Sequence, residues 1–149
     1  MASLLLGPQF KLYVVCCFVL CLLMFALGFL TAKARADQKT YANQEDGSVF
    51  PTGATYNQGN DPPAVTRVMR AHRNLIESLL PFSMLGLIYV LVGAPLLGAQ
   101  ICFITFTVVR VIHSIVYLRG LQPFRTATFA IGILSMVGMM VLSAMALFQ

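Results

Sequence analysis

The stretch LYVVCCFVLCLLMFALGFLTA, at residues 12–32, carries no charged side chain and is long enough to cross a membrane as a single helix. A transmembrane helix needs roughly 20 predominantly apolar residues to cross about 30 Å of hydrocarbon. Two more uncharged stretches, at residues 78–109 and 126–149, meet that requirement. The longer of them is interrupted by Gly93-Ala94-Pro95 and divides there into two helices. The sequence therefore predicts four helices, at about residues 10–34, 65–92, 96–118 and 123–148.

The composition of the whole chain supports this prediction. Of the 149 residues, 58% are hydrophobic and 10% are charged, whereas charged residues make up about 25% of a soluble domain. The apolar stretches do not alternate between polar and apolar residues, as the strands of a membrane β-barrel would. We therefore predict an all-α integral membrane four-helix bundle that forms one domain over residues 1–149. Its connection at residues 37–63 is rich in glycine, asparagine and proline, which predicts an irregular loop.

The first helix also has features of a cleaved secretory signal. Lys11 precedes its apolar run, and Ala34-Arg35-Ala36 follows that run with the small-residue spacing of a cleavage site. The run is about 20 residues long, whereas the apolar region of a signal peptide has about 7–15. We therefore expect this segment to remain in the protein as a helix.

The four cysteines predict neither a disulfide framework nor a metal site. Cys16, Cys17 and Cys21 lie in the first predicted helix, and Cys102 lies in the third. Their spacing does not match that of zinc ligands. A thiol at hydrocarbon depth usually packs as a small hydrophobic group, so we expect no bound metal.

The positive charges predict the orientation of the bundle. Eight of the ten lysines and arginines flank the connections between helices 1 and 2 and between helices 3 and 4, at one end of the bundle. By the positive-inside rule this end faces the cytosol, in the endoplasmic reticulum of a eukaryote or the inner membrane of a bacterium. No nucleic-acid-binding motif accompanies the charge. The eight residues are Lys33, Arg35, Lys39, Arg67, Arg70, Arg73, Arg119 and Arg125.

Polar side chains form stripes on two of the predicted helices. Four residues of helix 2 have the spacing i, i+3, i+4, i+7, and three residues of helix 3 have the spacing i, i+3, i+7, so each set lies on one helical face. Both stripes lie about 20 residues from the turn between the helices, near the cytosolic boundary. The resulting layer comprises Arg35 on helix 1, Arg70, Arg73, Asn74 and Glu77 on helix 2, Arg110, His113 and Tyr117 on helix 3, and Arg125 and Thr126 on helix 4.

Each of these residues also has an ordinary structural explanation. An arginine near a helix end, such as Arg70, can anchor the helix by reaching to the lipid headgroups. Glu77 can pair with Arg73 or Arg70, and Arg110 can lock helix 3 by pairing with Glu77. The histidine and tyrosine of helix 3 can serve as packing and interfacial residues. Ionisable residues that face a bundle interior are nevertheless costly and usually mark a site, so the whole layer predicts a pocket for an anionic ligand.

The residue types describe this ligand. Arginine side chains bind carboxylates or phosphates bidentately, and Glu77 can hold an ammonium group. Asn74, His113 and Tyr117 offer further hydrogen bonds. Glutathione, with two carboxylates, one ammonium group, two amides and a thiol, matches this set. Nucleotides and anionic lipid headgroups match it less completely, since they give Glu77 no role.

The segment RAHRNLIE at residues 70–77, followed by Pro81-Phe82, is a specific second-helix motif. It resembles that of the membrane-associated proteins in eicosanoid and glutathione metabolism. Within this family the similarity is greatest to the prostaglandin E synthase branch, followed by the microsomal glutathione transferases. The resemblance covers nearly the whole chain, and it extends to Arg110, His113, Tyr117-Leu118, Arg125-Thr126, Arg35 and the segment YANQED at residues 41–46.

The resemblance implies a homotrimer that binds glutathione between neighbouring subunits at the cytosolic side. It implies that Arg125 stabilises the thiolate, since a neighbouring cation lowers a thiol pKa, and that the Thr126 hydroxyl donates to sulfur. Thr126 replaces a serine of the prostaglandin synthase pattern, Asp46 matches an acidic residue that assists that isomerase, and Phe129 stands where the family often has tyrosine. The implied glutathione-binding residues are Arg35, Arg70, Arg73, Asn74, Glu77, His113 and Tyr117, to which the stripe on helix 3 adds Arg110.

These observations predict a membrane-embedded glutathione-dependent transferase or peroxidase. Arg125 and Thr126 would activate the glutathione sulfur, and a lipophilic electrophile or lipid peroxide would arrive laterally from the bilayer. A glutathione-dependent isomerase of the prostaglandin E synthase type is the alternative within the family. The alternative from another class is a small transporter or a non-enzymatic partner subunit. A transporter would place charges across the full membrane depth, whereas the lumenal half of these helices carries only Lys11.

Overall fold

The structure, a computed structural model, describes residues 7–49, 53–57 and 59–148. It contains four α-helices, each long and apolar enough to cross a membrane, so the predicted all-α four-helix bundle is confirmed. The helix ends lie within three residues of the predicted ones. The helices are α1 (Pro8–Asp37), α2 (Pro63–Leu91), α3 (Leu96–Arg119) and α4 (Gln122–Leu147).

Proline and glycine set most of the helix ends. α1, α2 and α4 each have a proline in the first turn, where its missing N–H has no intrahelical partner to lose. The turn between α2 and α3 places Gly93 at φ 68°, and α3 ends at Gly120 with φ 72°. This left-handed conformation carries no steric cost for glycine. The break at Gly93-Ala94-Pro95 therefore forms the predicted tight turn between two helices.

The connection between α1 and α2 contains short regular elements. β1 (Thr40–Tyr41) pairs in parallel with β2 (Thr55–Tyr56), and a 3-10 helix at Gln44–Ser48 lies between them. The rings of Tyr41 and Tyr56 stack beside this pairing, with their centroids 5.8 Å apart. The glycine, asparagine and proline content of this connection predicts an irregular loop. The two strands escape such a prediction, because strands of two residues are too short to produce a recognisable alternation of polar and apolar residues.

The core of the bundle includes a cluster of buried aromatic rings contributed by α2 and α3. Phe82 stacks on Phe106 with ring centroids 4.3 Å apart, and Phe103 meets both Phe82 and Tyr89 edge to face. The Tyr89 hydroxyl donates a hydrogen bond to the Pro95 carbonyl at 2.8 Å. Because its polar tip has this partner, the buried tyrosine ring joins α2 to the turn before α3 without an unsatisfied hydroxyl.

Glycines let the helices approach each other closely around this cluster. A Cβ at Gly98 on α3 would collide with the Tyr89 hydroxyl and lie 2.6 Å from Cδ1 of Leu142 on α4. A Cβ at Gly86 on α2 would lie 2.7 Å from the ring of Tyr13 on α1. Lipid tails are as apolar as the side chains themselves, so close packing at small residues is a principal source of helix association in membranes.

We expect Gly98→Ala to destabilise the bundle, because the added methyl group would overlap two side chains and disturb the Tyr89 hydrogen bond. Overpacking of this kind costs about 1–3 kcal/mol. Gly28→Ala is the matched control, since its Cβ would meet His72 at an ordinary 3.7 Å. Thermal unfolding in detergent should give a lower Tm for Gly98→Ala and an unchanged or higher Tm for Gly28→Ala. Equal Tm values would show that the helices do not pack closely at Gly98.

Candidate functional site

A cavity of about 220 Å³ lies between α2, α3 and α4 at the basic end of the bundle. It brings together residues from three helices that the sequence analysis placed in one layer. Thr126 and Phe129 are exposed on α4 although they line the cavity, so it opens at the side of the subunit. The lining residues are Asn74 on α2, His113 and Tyr117 on α3, and Arg125, Thr126 and Phe129 on α4.

A second cavity, of about 490 Å³, adjoins the first. Tyr117 and Arg125 line both cavities, and Arg70 lines the second. The Arg125 guanidinium carbon lies 4.9 Å from the centroid of the Tyr117 ring, a cation–π distance. This contact holds the cationic group at the boundary between the two cavities, where it can face a ligand in either.

Arg110 is the largest fully buried side chain, with 1% exposure. Its Nη1 donates a hydrogen bond to Oδ1 of Asn74 at 3.1 Å, and its guanidinium carbon lies 5.2 Å and 5.5 Å from the ring centroids of Phe106 and Phe129. Its Nε and Nη2 have no hydrogen-bond partner among the described residues. These two atoms form the edge of the guanidinium that binds a carboxylate bidentately.

Glu77 pairs with Arg73 rather than with Arg110. The Arg73 Nε lies 3.8 Å from a Glu77 carboxylate oxygen, and the two side chains are 81% and 64% exposed. An exposed ion pair of this length contributes little to stability. Both side chains are therefore free to take other partners.

His113 is buried, and its Nδ1 lies 3.0 Å from the hydroxyl of Thr128 on α4. Its ring packs near Tyr117 and Phe129, with centroid distances of 5.8 Å and 6.3 Å. Its Nε2 has no hydrogen-bond partner among the described residues. The imidazole thus joins α3 to α4 through one nitrogen, and its other nitrogen is buried without a partner among the described residues.

Arg35 and Asp46 line neither of the two cavities: Arg35 contacts Asp61 in the connection between α1 and α2 and Met69 on α2, and Asp46 contacts Asn43 in that connection. Arg35 makes a bidentate salt bridge with Asp61, at 2.7 Å and 2.9 Å, which holds the end of the connection against α1. Asp46 accepts hydrogen bonds from the backbone and side-chain amides of Asn43 and so caps the 3-10 helix. Within one subunit, neither residue is brought to the cavity.

The structure adds three residues that the sequence analysis missed. Thr128 contacts His113, Asp61 pairs with Arg35, and Gly132 lies against Arg110, where a Cβ would be 3.2 Å from Nη2. Thr128 lies three residues after Arg125, on the same face of α4, so helical spacing was a usable signal for it. No signal in the sequence pairs Asp61 with an arginine 26 residues away.

The surroundings of the cavity carry an excess of positive charge. Of the described residues that line the smaller cavity, none is acidic. Asp61, which lines the larger cavity, is already bound by Arg35. With Arg125 in the wall and Arg110 beside it, the site can bind carboxylates and stabilise a negative charge that develops on a bound ligand.

A bundle of four membrane-length helices with a cationic pocket at one end defines the class of this protein. It is an integral, multi-pass membrane protein with a cavity lined by polar and aromatic side chains between its helices. Residues 13–145 match the model of the MAPEG family, so the chain belongs to the MAPEG family. The resemblance found in the sequence is confirmed.

Prostaglandin E synthases and a microsomal glutathione S-transferase are similar to this chain over most of its length. Prostaglandin E synthase of Homo sapiens is 32% identical over 126 residues, which cover 84% of this chain and 81% of that protein. Prostaglandin E synthase of Mus musculus is 34% identical over 117 residues, or 78% and 74% of the two chains. Microsomal glutathione S-transferase 1 of Rattus norvegicus is 39% identical over 111 residues, or 73% and 72%. Both branches named by the resemblance are therefore represented.

We expect Asn74→Ala to lower the free energy of unfolding by about 1–3 kcal/mol, because it removes the hydrogen-bond acceptor of a buried guanidinium. Asn74→Asp should retain or raise stability, since a carboxylate would pair with Arg110. Glu77→Ala is the control on the same helix, and its exposed position predicts a change within about 0.5 kcal/mol. Denaturant unfolding of the purified protein measures all three. A stable Asn74→Ala variant would show that Arg110 does not depend on this bond.

Proposed function

We propose that this protein is a membrane-embedded glutathione transferase that binds glutathione at the basic end of the bundle and activates its thiol. The meeting of His113, Arg125 and Thr126 around one cavity carries the proposal. Microsomal glutathione S-transferase 1, whose name states this chemistry, is 39% identical to the chain. A peroxidase reaction uses the same activated sulfur.

The residues around the cavity fit the groups of glutathione. Arg70 in the adjoining cavity can bind a carboxylate bidentately, and the buried Arg110 adds positive charge beside the smaller cavity. Glu77, exposed and weakly paired, can hold the ammonium group. Asn74 and His113 offer hydrogen bonds to the amides. A ligand with both anionic and cationic groups would thus be held at several points.

Arg125 and Thr126 are the residues that act on sulfur. Glutathione supplies the nucleophile, a thiolate. The half-buried Arg125, held over the Tyr117 ring, would stabilise this anion and lower the pKa of the glutathione thiol. The Thr126 hydroxyl would add one hydrogen bond to sulfur, worth about 1 kcal/mol.

The open side of the cavity supports entry of the second substrate from the bilayer. Thr126 and Phe129 line the cavity and are also exposed at the surface of α4, so a lipophilic electrophile can reach the sulfur position from the side of the subunit. The bilayer also concentrates apolar substrates beside the site. Attack on an electrophilic carbon forms a carbon–sulfur bond as a leaving group departs or a double bond is saturated. Attack on a peroxide oxygen breaks the O–O bond, releases an alcohol and oxidises the sulfur to a sulfenate, which a second glutathione converts to the disulfide and water.

Isomerisation of the prostaglandin E synthase type is the second candidate function. The 32% identity to human prostaglandin E synthase favours it. Thr126 and Phe129, however, differ from the residues of that pattern in the part of the pocket nearest the proposed sulfur position. A panel of electrophiles, hydroperoxides and an endoperoxide separates conjugation, reduction and isomerisation by their products.

The proposed assembly is a homotrimer with its sites between subunits and its basic end in the cytosol. Arg73 and Glu77 are largely exposed in a single subunit, and the cavity is open at its side, which supports completion by a neighbour. Arg35, held in the salt bridge with Asp61, would contribute from the neighbouring subunit in such an arrangement. The proposed membrane is the endoplasmic reticulum of a eukaryote or the inner membrane of a bacterium.

Arg125→Leu should reduce turnover far more than affinity, because the other arginines still bind the carboxylates. Loss of one group that stabilises a developing anion typically lowers kcat by about 100-fold or more. Titration calorimetry measures glutathione affinity, stopped-flow ultraviolet absorbance measures the thiolate, and conjugation of an electrophile measures turnover. Thr126→Ala should show the same pattern more weakly, and Thr126→Ser should be close to neutral.

Arg119→Leu is the matched control, since Arg119 is an exposed arginine at the end of α3 that lines neither cavity. It should leave the thiolate signal and turnover unchanged. If Arg125→Leu kept the full thiolate absorbance and conjugation rate, Arg125 would be a helix-end anchor and another group would activate the sulfur.

A cysteine at Ser48, in the connection between α1 and α2, should react with a membrane-impermeant thiol reagent only from the cytosolic side. Pro95→Cys, in the turn at the opposite end, should react only from the other side. The native cysteines lie within α1 and α3, so the unsubstituted protein supplies the background. Labelling of Ser48→Cys from outside intact cells would reverse the proposed topology and separate the site from cytosolic glutathione.

A further inference from the structure

The hydroxyl of Thr128 contacts three polar atoms at once. Its Oγ1 lies 2.7 Å from the carbonyl oxygen of Phe124 and 3.1 Å from that of Arg125, both on α4. It also lies 3.0 Å from Nδ1 of His113 on α3. A hydroxyl has one proton to donate and two lone pairs with which to accept, so these contacts restrict where the protons lie.

The two carbonyl contacts fix the direction of the Thr128 proton. Two oxygen atoms 2.7 Å apart need a proton between them, and a carbonyl has none to give. The Thr128 hydroxyl therefore donates to the carbonyl of Phe124 or Arg125. Its remaining capacity is as an acceptor, so the third contact must be a donation from His113 Nδ1–H to Thr128 Oγ1.

The state of His113 follows from this hydrogen bond. A neutral imidazole carries one N–H, and with that proton on Nδ1 the Nε2 atom is an acceptor. The ring is buried one helical turn from the buried Arg110, where a second cation would be costly to place. Nε2 has no hydrogen-bond partner among the described residues, and the ring lines the smaller cavity.

We propose that Thr128 is a positioning residue that fixes the His113 tautomer, so that Nε2 accepts a hydrogen bond from an N–H group of the ligand. Taking that ligand to be glutathione rests on the function proposed above, and the donor would be an amide or ammonium N–H. The site would recognise both hydrogen-bond acceptors and hydrogen-bond donors of the ligand. Arg70 and Arg125 bind acceptor groups, whereas His113 requires a donor, so the site favours a peptide-like ligand over an anion that lacks an N–H.

The tautomer can be measured without any ligand. Two-bond proton–nitrogen correlation spectra of histidine-labelled protein in detergent distinguish a protonated ring nitrogen from an unprotonated one. The chain has two histidines, so His72→Gln assigns the signals. The unsubstituted protein and Thr128→Ser should show an unprotonated Nε2. Thr128→Val, which is similar in shape but lacks the hydroxyl, should lose this preference.

Titration calorimetry with glutathione tests the consequence for binding. Thr128→Val should weaken glutathione affinity about tenfold, because a tenfold change corresponds to about 1.4 kcal/mol, close to the free energy of one hydrogen bond. Thr128→Ser keeps the hydroxyl and should bind glutathione within about twofold of the unsubstituted protein. A thermal unfolding profile that matches the unsubstituted protein confirms that the variants fold.

Four results would overturn the inference or part of it. A protonated Nε2 in the unsubstituted protein, or an unchanged tautomer in Thr128→Val, would remove the positioning role. Equal glutathione affinity in Thr128→Val and the unsubstituted protein would remove the proposed acceptor. If the unsubstituted protein did not bind glutathione at all, the proposed function would fail and so would the assignment of the N–H donor. The tautomer measured without ligand would still decide the role of Thr128.

Discussion

The buried guanidinium of Arg110 constrains three of the four helices. It lies within a membrane-spanning helix, where an unpaired charge is costly, and it is met by Asn74 of α2 and by the rings of Phe106 and Phe129. Gly132 of α4 leaves space for the guanidinium, since a Cβ at Gly132 would lie 3.2–3.4 Å from three guanidinium atoms. The relative depths of α2, α3 and α4 at the basic end are therefore coupled, and the geometry of the cavity follows from that coupling.

The aromatic core and the polar pocket meet at Phe106. Its ring stacks on Phe82 with centroids 4.3 Å apart, and its centroid also lies 5.2 Å from the Arg110 guanidinium carbon. The core thus supports the polar layer directly. Interiors this closely packed transmit small displacements, so substitutions among the aromatic rings should be felt at the cavity without touching it.

Much of the architecture could be predicted from the sequence, because its signals are local. Uncharged runs of membrane length gave the number and ends of the helices, and Gly93-Ala94-Pro95 marked the turn between α2 and α3. Helical spacing placed Asn74, His113 and Tyr117 in one layer, and the structure brings them to one cavity. The catalytic role of Asp46, the role of Arg35 in glutathione binding, the homotrimer and the cytosolic orientation stay predictions.

The sequence by itself determined which polar residues share a depth in the membrane, and the tertiary structure decided which of them touch. Spacing allowed Arg110 to pair with Glu77, yet its hydrogen-bond partner is Asn74, and Glu77 stays exposed beside Arg73. Spacing along one helix fixes a face and a depth, because both are properties of that helix alone. The partner of each side chain depends on how far neighbouring helices are rotated about their axes, and that rotation is set by packing between residues distant in the chain.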